Sequence, residues 1–537
     1  MNKGHFSQCT KCSRNEDFPS VSVLFMSKHA KYGLMFLVLL LLSLPAAWAF
    51  FQPGFPITDD GNWMIIRLSS FYEEFKHGQF PVRWLGRLNQ GYGYPVANFL
   101  YPGFLYLGVP LVLVLSSFVT TVKVLFASSL IASSIGAYLW LSQRFGKWAS
   151  MIGALVYLYA PYHLFDATVR GSLGEVLVLA LLPFVLWSIE KRFQSITAIS
   201  IGLLLISHNT LAILFLPIIL LYQAIILREK KQLRDISQWL PVSFGIGLSA
   251  FFWLPAIADL KSTVFAQTKI SNYAEFFASR GQIGLMAFIA TVGGLSLGFF
   301  RLKNSTSAQK TLGVMFLGLS LLTLFLSSSL SWALWQILPV QFIQFPFRFL
   351  SITLISTAFL SAWTISLVKW RIFVGVVGIF VIALSASPYL IPREHLDVEE
   401  GYYTTNQATT TIKDEYMPRW VTTPPTHQAA KRVILRSGKL TIIEDKSHKL
   451  VFRTEASSSQ VVTVNTLYFP GWQATLDGQK RELLIAQATG LMEVSVPKGT
   501  HQVQLELRET PLRLVADGMS LISILGIAVL LLKTKRL

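Results

Sequence analysis

Residues 57–102 read ITDDGNWMIIRLSSFYEEFKHGQFPVRWLGRLNQGYGYPVANFLYP. The stretch follows the first long apolar run of the chain. It holds Asp59, Asp60, Arg67, Glu73, Glu74, Arg83 and Arg87, so it cannot lie in hydrocarbon. It also holds Trp63, Phe71, Tyr72, Trp84, Tyr92, Tyr94 and Tyr101, aromatic residues that suit a headgroup layer. Trp63, Ile66, Phe71 and Phe75 recur at helical spacing, which predicts a helix lying on the membrane surface. Two adjacent carboxylates thus stand where the chain leaves the bilayer, and the rest of the molecule is read around them.

The chain is 537 residues long, 52% hydrophobic and only 14% charged. That composition is polytopic membrane protein. The formal charge of +18 would suggest nucleic acid in a soluble protein. Here Lys and Arg fall in short loops between apolar runs, as the positive-inside rule produces, so no nucleic-acid partner is expected. The two cysteines, Cys9 and Cys12, form one CTKC. Without a second pair or histidines this is a weak metal signal, and a disordered tail, or a true start at Met26, is the favoured explanation. Residues 28–51 carry Lys28, Lys31, an apolar run and AAWA, like a signal peptide. The run from Leu34 to Phe51 is long enough to span, and a retained helix is favoured.

Twelve spans are predicted, near 33–51, 119–142, 148–161, 174–190, 195–208, 209–227, 238–257, 282–301, 310–328, 347–368, 371–391 and 514–533. The basic loops QRFGK (143–147), EKRF (190–193), REKKQLR (228–234), RLK (301–303), KWR (369–371) and KTKR (533–536) are expected inside. Segments 52–118, 162–173, 258–281, 329–346 and 392–513 are then outside. This requires 101–117, broken by Pro102, Gly103, Gly108 and Pro110, to turn back without spanning. In 392–513 charges return and period-2 runs appear, among them KLVFRTEA, QVVTVNTLYF, MEVSVP and HQVQLELR, with LDGQ (476–479) and PKGT (497–500) as turns. A small antiparallel β-sandwich outside the membrane is expected there. The organisation is a tail 1–32, a membrane domain 33–391 with an outer loop 52–118, the β-sandwich domain 392–513, and a last helix with a basic tail, 514–537. NST at Asn304 matches a glycosylation acceptor but falls in a predicted cytoplasmic loop.

Several residues could carry chemistry. Asp59 and Asp60 come first, although Thr58 or Asp59 could simply cap a helix starting near Gly61. PYHLFDATVRGSLGE (161–175) holds His163, Asp166, Arg170 and Glu175, the last at the mouth of a span. A capping and snorkelling loop accounts for these equally well. ISHNT (206–210) puts His208 and Asn209 between two spans, which a polar turn also explains. QFPFRFL (344–350) isolates Arg348 among aromatic residues, where it needs a counter-charge. A lipid phosphate is the natural candidate, because guanidinium matches phosphate in a bidentate way. No Walker loop, GxSxG, HExxH or dinucleotide fingerprint is present, so nucleotide-driven chemistry is not expected.

The acidic outer loop, PVRW, GYGYP, VRGSLGE, SHN, FFWLP (251–255), QFPFRF and EYMP (415–418) together resemble the 6-pyruvoyl-tetrahydropterin synthase-related membrane proteins. LYFPGWQATLDGQ (467–479) with VPKGTH (496–501) resembles the YfhO-type membrane proteins. Both groups resemble GT-C glycosyltransferases, and the resemblance covers most of the chain from about residue 34. The pterin name carries no expectation of pterin chemistry, since no soluble pterin-binding domain or zinc-ligand set is visible. The resemblance implies a GT-C-like fold and transfer of a sugar from a polyprenyl-phosphate donor to an extracytoplasmic acceptor. It implies a bacterial cytoplasmic membrane setting with the site on the outer face. Asp60 matches the acidic position of the base; Asp59 stands where relatives often carry His, so which of the two acts stays open. Glu175 matches a second acidic position, and Arg348 would hold the leaving phosphate. Arg83, Arg170, His208, Asp166 and Tyr94 are further candidates for binding substrate. No cofactor is expected, and no metal ligands are assigned, although a divalent metal is compatible with such chemistry. Membrane lipids and an envelope acceptor are the expected partners. The competing expectations are a flippase for lipid-linked sugars and a non-catalytic envelope assembly factor.

Overall fold

The computed structural model describes residues 28–267, 273–301, 306–337, 343–392 and 394–534. Cys9, Cys12 and Asn304 lie outside the described residues. Among those described, eight helices are long and apolar enough to cross a membrane: Gly33–Phe51, Phe118–Leu141, Leu173–Lys191, Asn209–Glu229, Ser307–Ser327, Pro346–Leu367, Arg371–Leu390 and Pro511–Leu532. A ninth candidate is the pair Ile236–Leu248 and Ala250–Ser262, bent by 57°. The bend falls at Ser249, whose hydroxyl donates back to the Ile246 carbonyl at 2.9 Å, a Ser-linked break of a common kind.

Among the described residues eight or nine helices are long enough to span, against twelve expected runs; the run expected at 282–301 forms the helix Leu285–Arg301, of 17 residues. The other apolar runs are helical but short. Lys147–Leu158 and Gln194–Ser207 have 12 and 14 residues. At the α-helical rise they reach only about 18 and 21 Å, against a hydrocarbon core of about 30 Å. The first stops ahead of Pro161, and the second stops at His208, whose φ of −164° is extended. Gly103–Leu115 is a short helix of 13 residues containing Pro110, in the place where a non-spanning element is expected. Hydroxyl pairs join neighbouring helices without a hydrophobic driving force: Ser43 to Ser134, Thr291 to Ser320 and Thr323 to Thr353, each at 2.8 Å.

The helix Gly61–Lys76 forms where it is expected, but it is packed on more than one side. Ile65, Ile66, Leu68 and Phe71 are all buried, on more than one face. One side packs on Gly103–Leu115, where a Cβ on Gly108 would meet Leu68. The other side is covered by residues 400–410: Ser69 donates to the Tyr403 carbonyl, and Arg67 Nε donates to Thr410 Oγ1 at 3.0 Å. Only Phe75 of the four expected apolar positions is exposed. Trp84 and Tyr94 are likewise core residues, not a headgroup belt.

The period-2 runs form strands between 433 and 507. One sheet has four strands in the order 433–434, 460–467, 491–496, 484–485, and the other has five in the order 439–446, 449–456, 499–507, 472–476, 479–481. Every pairing is antiparallel. Leu450, Phe452, Val503 and Leu505 of one sheet and Val462, Val464, Val494 and Val496 of the other are buried in one core, as a sandwich requires. Asp477 and Gly478, both at positive φ, make the tight turn of LDGQ. Ahead of the two sheets the short strand His395–Leu396 pairs with Phe55–Pro56, which precede the DDG loop. The sandwich docks through Trp84, which packs edge-on to Trp472 at 6.1 Å and against Phe469. Gly93 is fixed by this contact, because a Cβ there would fall 2.2 Å from the Trp84 ring.

Candidate active site

The DDG loop and the VRG loop are joined through main chain. Asp59 N donates to the Val169 carbonyl at 3.0 Å and Asp60 N to the Arg170 carbonyl at 2.7 Å. Gly171 allows the approach: its φ is +65°, and a Cβ would lie 2.2 Å from Thr58 Oγ1 and 2.7 Å from Gly61 N. Thr58 Oγ1 accepts from Gly61 N at 3.1 Å and so serves the helix start. Asp60 occupies the cap position but its side chain makes no capping bond, and among the described residues no hydrogen bond reaches its carboxylate. Asp59 is exposed at the loop tip. Its carboxyl is pushed above the usual aspartate range, first by partial burial and then by the Asp60 charge, with Arg170 pulling the other way.

Behind this loop stands a buried ionic cluster. Pro161–Phe165 runs into a wide π turn over Asp166–Arg170, which brings Arg170 Nη1 back to Asp166 Oδ1 at 2.8 Å. The same Nη1 lies 2.7 Å from Glu175 Oε1, in the first turn of Leu173–Lys191. Arg348 Nε, from the short 3₁₀ turn Pro346–Phe349, reaches Oε1 at 3.0 Å. Tyr162 OH donates to Oε2 at 2.9 Å. His208 accepts from Leu211 N through Nδ1, which caps the next helix. The proton is then assigned to Nε2, 3.5 Å from Glu175 Oε1. Phe345 and Phe347 form an aromatic floor: Arg348 sits 4.8 Å above Phe345 and Arg170 5.1 Å above Phe347.

Glu175 is therefore surrounded by donors on both oxygens and is completely buried. It is also the counter-charge of Arg348, where sequence alone offers a lipid phosphate. Four segments far apart in sequence meet here. Asp60, Asp166, Arg170, Glu175, His208 and Arg348 belong to one site or its rim, with Asp59 beside them.

Arg83 and Tyr94 do not belong to it. Arg83 pairs with Glu509 at 2.6 Å and Asp517 at 3.2 Å and donates to the Phe251 carbonyl. Together with the Arg513–Asp259 pair at 2.8 Å it anchors the end of the sandwich to the membrane helices. Tyr94 OH contacts Thr411 Oγ1 and accepts from Tyr416 N, each at 3.0 Å, and so ties residues 411–416 to the segment that holds Tyr94. Sequence reasoning missed Tyr162, which holds Glu175, and Tyr101, whose ring lies 4.7 Å from that of His208. An ionisable or phenolic group at the edge of an apolar span was the available signal. Among the described residues no group of three or more His, Cys, Asp or Glu side chains is placed to hold a metal ion.

These features define a polytopic helical membrane protein with a charged cluster buried beside an acidic loop. The chain belongs to the 6-pyruvoyl-tetrahydropterin synthase related family of membrane proteins, whose domain model matches residues 100–392, more than half its length. A curated relative, an uncharacterized protein of Lactococcus lactis subsp. cremoris (strain MG1363), is 22% identical over 274 residues. The match covers 48% of this chain and 44% of that one, so the chain spans less than half the length of this relative. Among solved structures, the mycobacterial arabinofuranosyltransferase AftD is similar with 16% identity and a TM-score of 0.44, over 70% of this chain and 28% of that one. The Archaeoglobus fulgidus oligosaccharyltransferase tethered to an acceptor peptide gives 13% identity and a TM-score of 0.40, over 73% and 60%. The same organism's oligosaccharyltransferase AglB, with an inhibitory peptide and dolichol-phosphate, gives 13% and 0.38, over 71% and 57%. TM-scores below 0.5 fall short of a shared fold, and the architecture above stands on its own description.

Proposed function

We propose that this protein is a GT-C-type membrane glycosyltransferase that moves a sugar from a polyprenyl-phosphate donor to an acceptor outside the cytoplasm. The observation that carries the reading is the seam between the two loops. It holds the free Asp60 carboxylate, by the 2.7 Å bond from Asp60 N to the Arg170 carbonyl, beside the buried Arg170, which shares Glu175 with Arg348. Such an arrangement suits a base facing an acceptor hydroxyl and cations facing a departing phosphate. Asp60 removes the hydroxyl proton as the acceptor oxygen attacks the anomeric carbon. The carbon–oxygen bond to the phosphate breaks, and Arg170 and Arg348 balance the charge that develops on the leaving group. Glu175 has no free face for an acceptor, so its role is to hold the two guanidinium groups in place. No nucleotide sugar exists outside the cytoplasm, which makes a lipid-linked donor the fitting activated form. The ordered sequence motifs support the same reading. The test is to incubate the purified protein with a panel of polyprenyl-phosphate sugars and follow donor consumption. Turnover that disappears in Asp60→Asn while donor binding persists is the expected result. Consumption of no donor in the panel, or full turnover by the Asp59→Asn, Asp60→Asn double variant, would remove the assignment.

A further inference from the structure

The transfer chemistry above leaves Asp166 unused. Its side chain is fully buried; Oδ1 takes the Arg170 contact, and Oδ2 has no hydrogen-bond partner. One nitrogen, Arg170 Nη1, serves both this carboxyl and Glu175, and the two acids are within hydrogen-bonding reach of each other. Two carboxylates packed this closely out of water cannot both stay ionised.

The charges around Asp166 are countable. Tyr162 and His163 precede it on its own helix, and His163, pushed down to about 4 by burial, is neutral. Arg170 follows it. Glu175 faces it from Leu173–Lys191, with Arg348 and His208 beyond Glu175. The Asp60 charge also acts on Arg170, and Arg371–Leu390 brings Tyr389, whose carbonyl accepts from Thr168 and whose ring packs edge-on to Phe165. With both acids ionised, the two arginines are cancelled. With one proton between the acids, the buried cluster of Asp166, Glu175, Arg170 and Arg348 keeps one positive charge, with the Asp60 carboxylate outside it at the rim. Among the described residues, Nε and Nη2 of Arg170 and Nη2 of Arg348 have no acceptor, so donors remain for a ligand.

We propose that Asp166 and Glu175 share one proton and that this proton leaves Arg170 and Arg348 with the single positive charge that receives a phosphodiester. The proposal rests on the glycosyltransferase reading and makes Asp166 a positioning residue for it. Burial and the neighbouring Glu175 both push the Asp166 carboxyl up, against the pull of Arg170. A lipid-linked sugar phosphate is a diester with one negative charge, so the donor and the buried cluster neutralise each other, and Asp60 stays outside that balance as the base. A product monoester that loses its second proton overfills the site, which favours its release.

The probes are farnesyl methyl phosphate and dimethyl phosphate, diesters that do not titrate near neutral pH. Binding to the full-length protein in detergent is measured by calorimetry from pH 5 to 9, in buffers of different ionisation enthalpy. Wild type is expected to take up protons on binding and to lose affinity as pH rises, by up to about tenfold per unit above the shared titration. Asp166→Asn, which stays neutral, is expected to keep the low-pH affinity throughout. Farnesyl methyl phosphate is expected to bind more tightly than dimethyl phosphate; the reverse order would assign the site to a free phosphate and overturn the lipid-linked source. An Asp166→Asn profile that tracks wild type would overturn the shared proton. So would wild-type binding with no proton uptake and no pH dependence, a result that stands even if the variant does not fold. Both of these leave phosphate binding intact, whereas no binding of either diester at any pH would overturn the glycosyltransferase reading as well.

Discussion

The Glu175–Arg348 contact makes a quantitative prediction about stability. Arg348 Nε sits 3.0 Å from Glu175 Oε1, Glu175 is completely buried, and Arg348 is 5% exposed. Removing one partner of such a pair strands the other, at a typical cost of about 3–5 kcal/mol. Glu175→Gln strands more, because Arg170 and Tyr162 also use that carboxylate. Arg348→Met strands less, because Glu175 keeps Arg170. In the double variant Arg170 still pairs with Asp166 at 2.8 Å, and no full charge is left alone. The double variant should therefore cost about as much as the worse single one, with a coupling energy of roughly 2 kcal/mol, inside the range for contacting residues. Unfolding of the purified protein in mixed micelles by SDS titration, read by tryptophan fluorescence, supplies the four free energies. Effects that add to within about 0.5 kcal/mol would refute the pairing, because non-contacting sites behave that way.

Three further outcomes are expected. Asp60→Asn should lower turnover by about 10²–10⁴-fold with little change in stability, since Thr58 caps the helix; equal losses of fold and activity on thermal and kinetic assays would contradict this. The raised Asp59 carboxyl gives stability that is full below the unfolded aspartate value and is lost as pH rises through the higher folded value. Asp59→Asn should therefore gain up to about 0.5 kcal/mol at pH 7 relative to pH 4, and a gain equal at both values in paired unfolding curves would count against it. Gly171→Ala should cost about 1–3 kcal/mol from its +65° φ and lower activity by about 10²-fold by parting the two loops, measured by unfolding and donor consumption; wild-type kinetics in that variant would show that the seam does not matter.

The parts of the fold read correctly from sequence are those set by local periodicity. Phe118–Leu141 and Asn209–Glu229 are long enough to declare themselves, and the period-2 runs became strands at 449–456 and 499–507. Gly61–Lys76 was legible as a helix but not in its setting. Its second apolar face exists because residues 400–410 cover it, and nothing in the helix's own sequence says what lies on top. The expected span count was too high because the apolar runs ending at Pro161 and His208 were counted as spans, whereas their helices have only 12 and 14 residues. The site was legible as ionisable residues at span mouths. Its assembly was not, because main-chain hydrogen bonds make the seam between 59–60 and 169–170 and leave no trace in residue type. Arg83 was misplaced for a related reason. Its partners Glu509 and Asp517 lie more than 400 residues downstream, and an arginine beside aromatic residues reads alike whether it meets a phosphate or a distant carboxylate.

That seam has a bearing on how such a protein can be altered. Every residue but proline offers the same amide N–H and carbonyl, so the hydrogen bonds between the two loops can form with any non-proline residue at 59 and 60. Thr58 and Gly171 fix the spacing from outside the reactive positions. The acidic pair can then be exchanged for other functional groups while the frame that presents them stays in place. A library randomised at 59 and 60, with 58, 61 and 171 held constant, would sample new reactivity on an unchanged backbone.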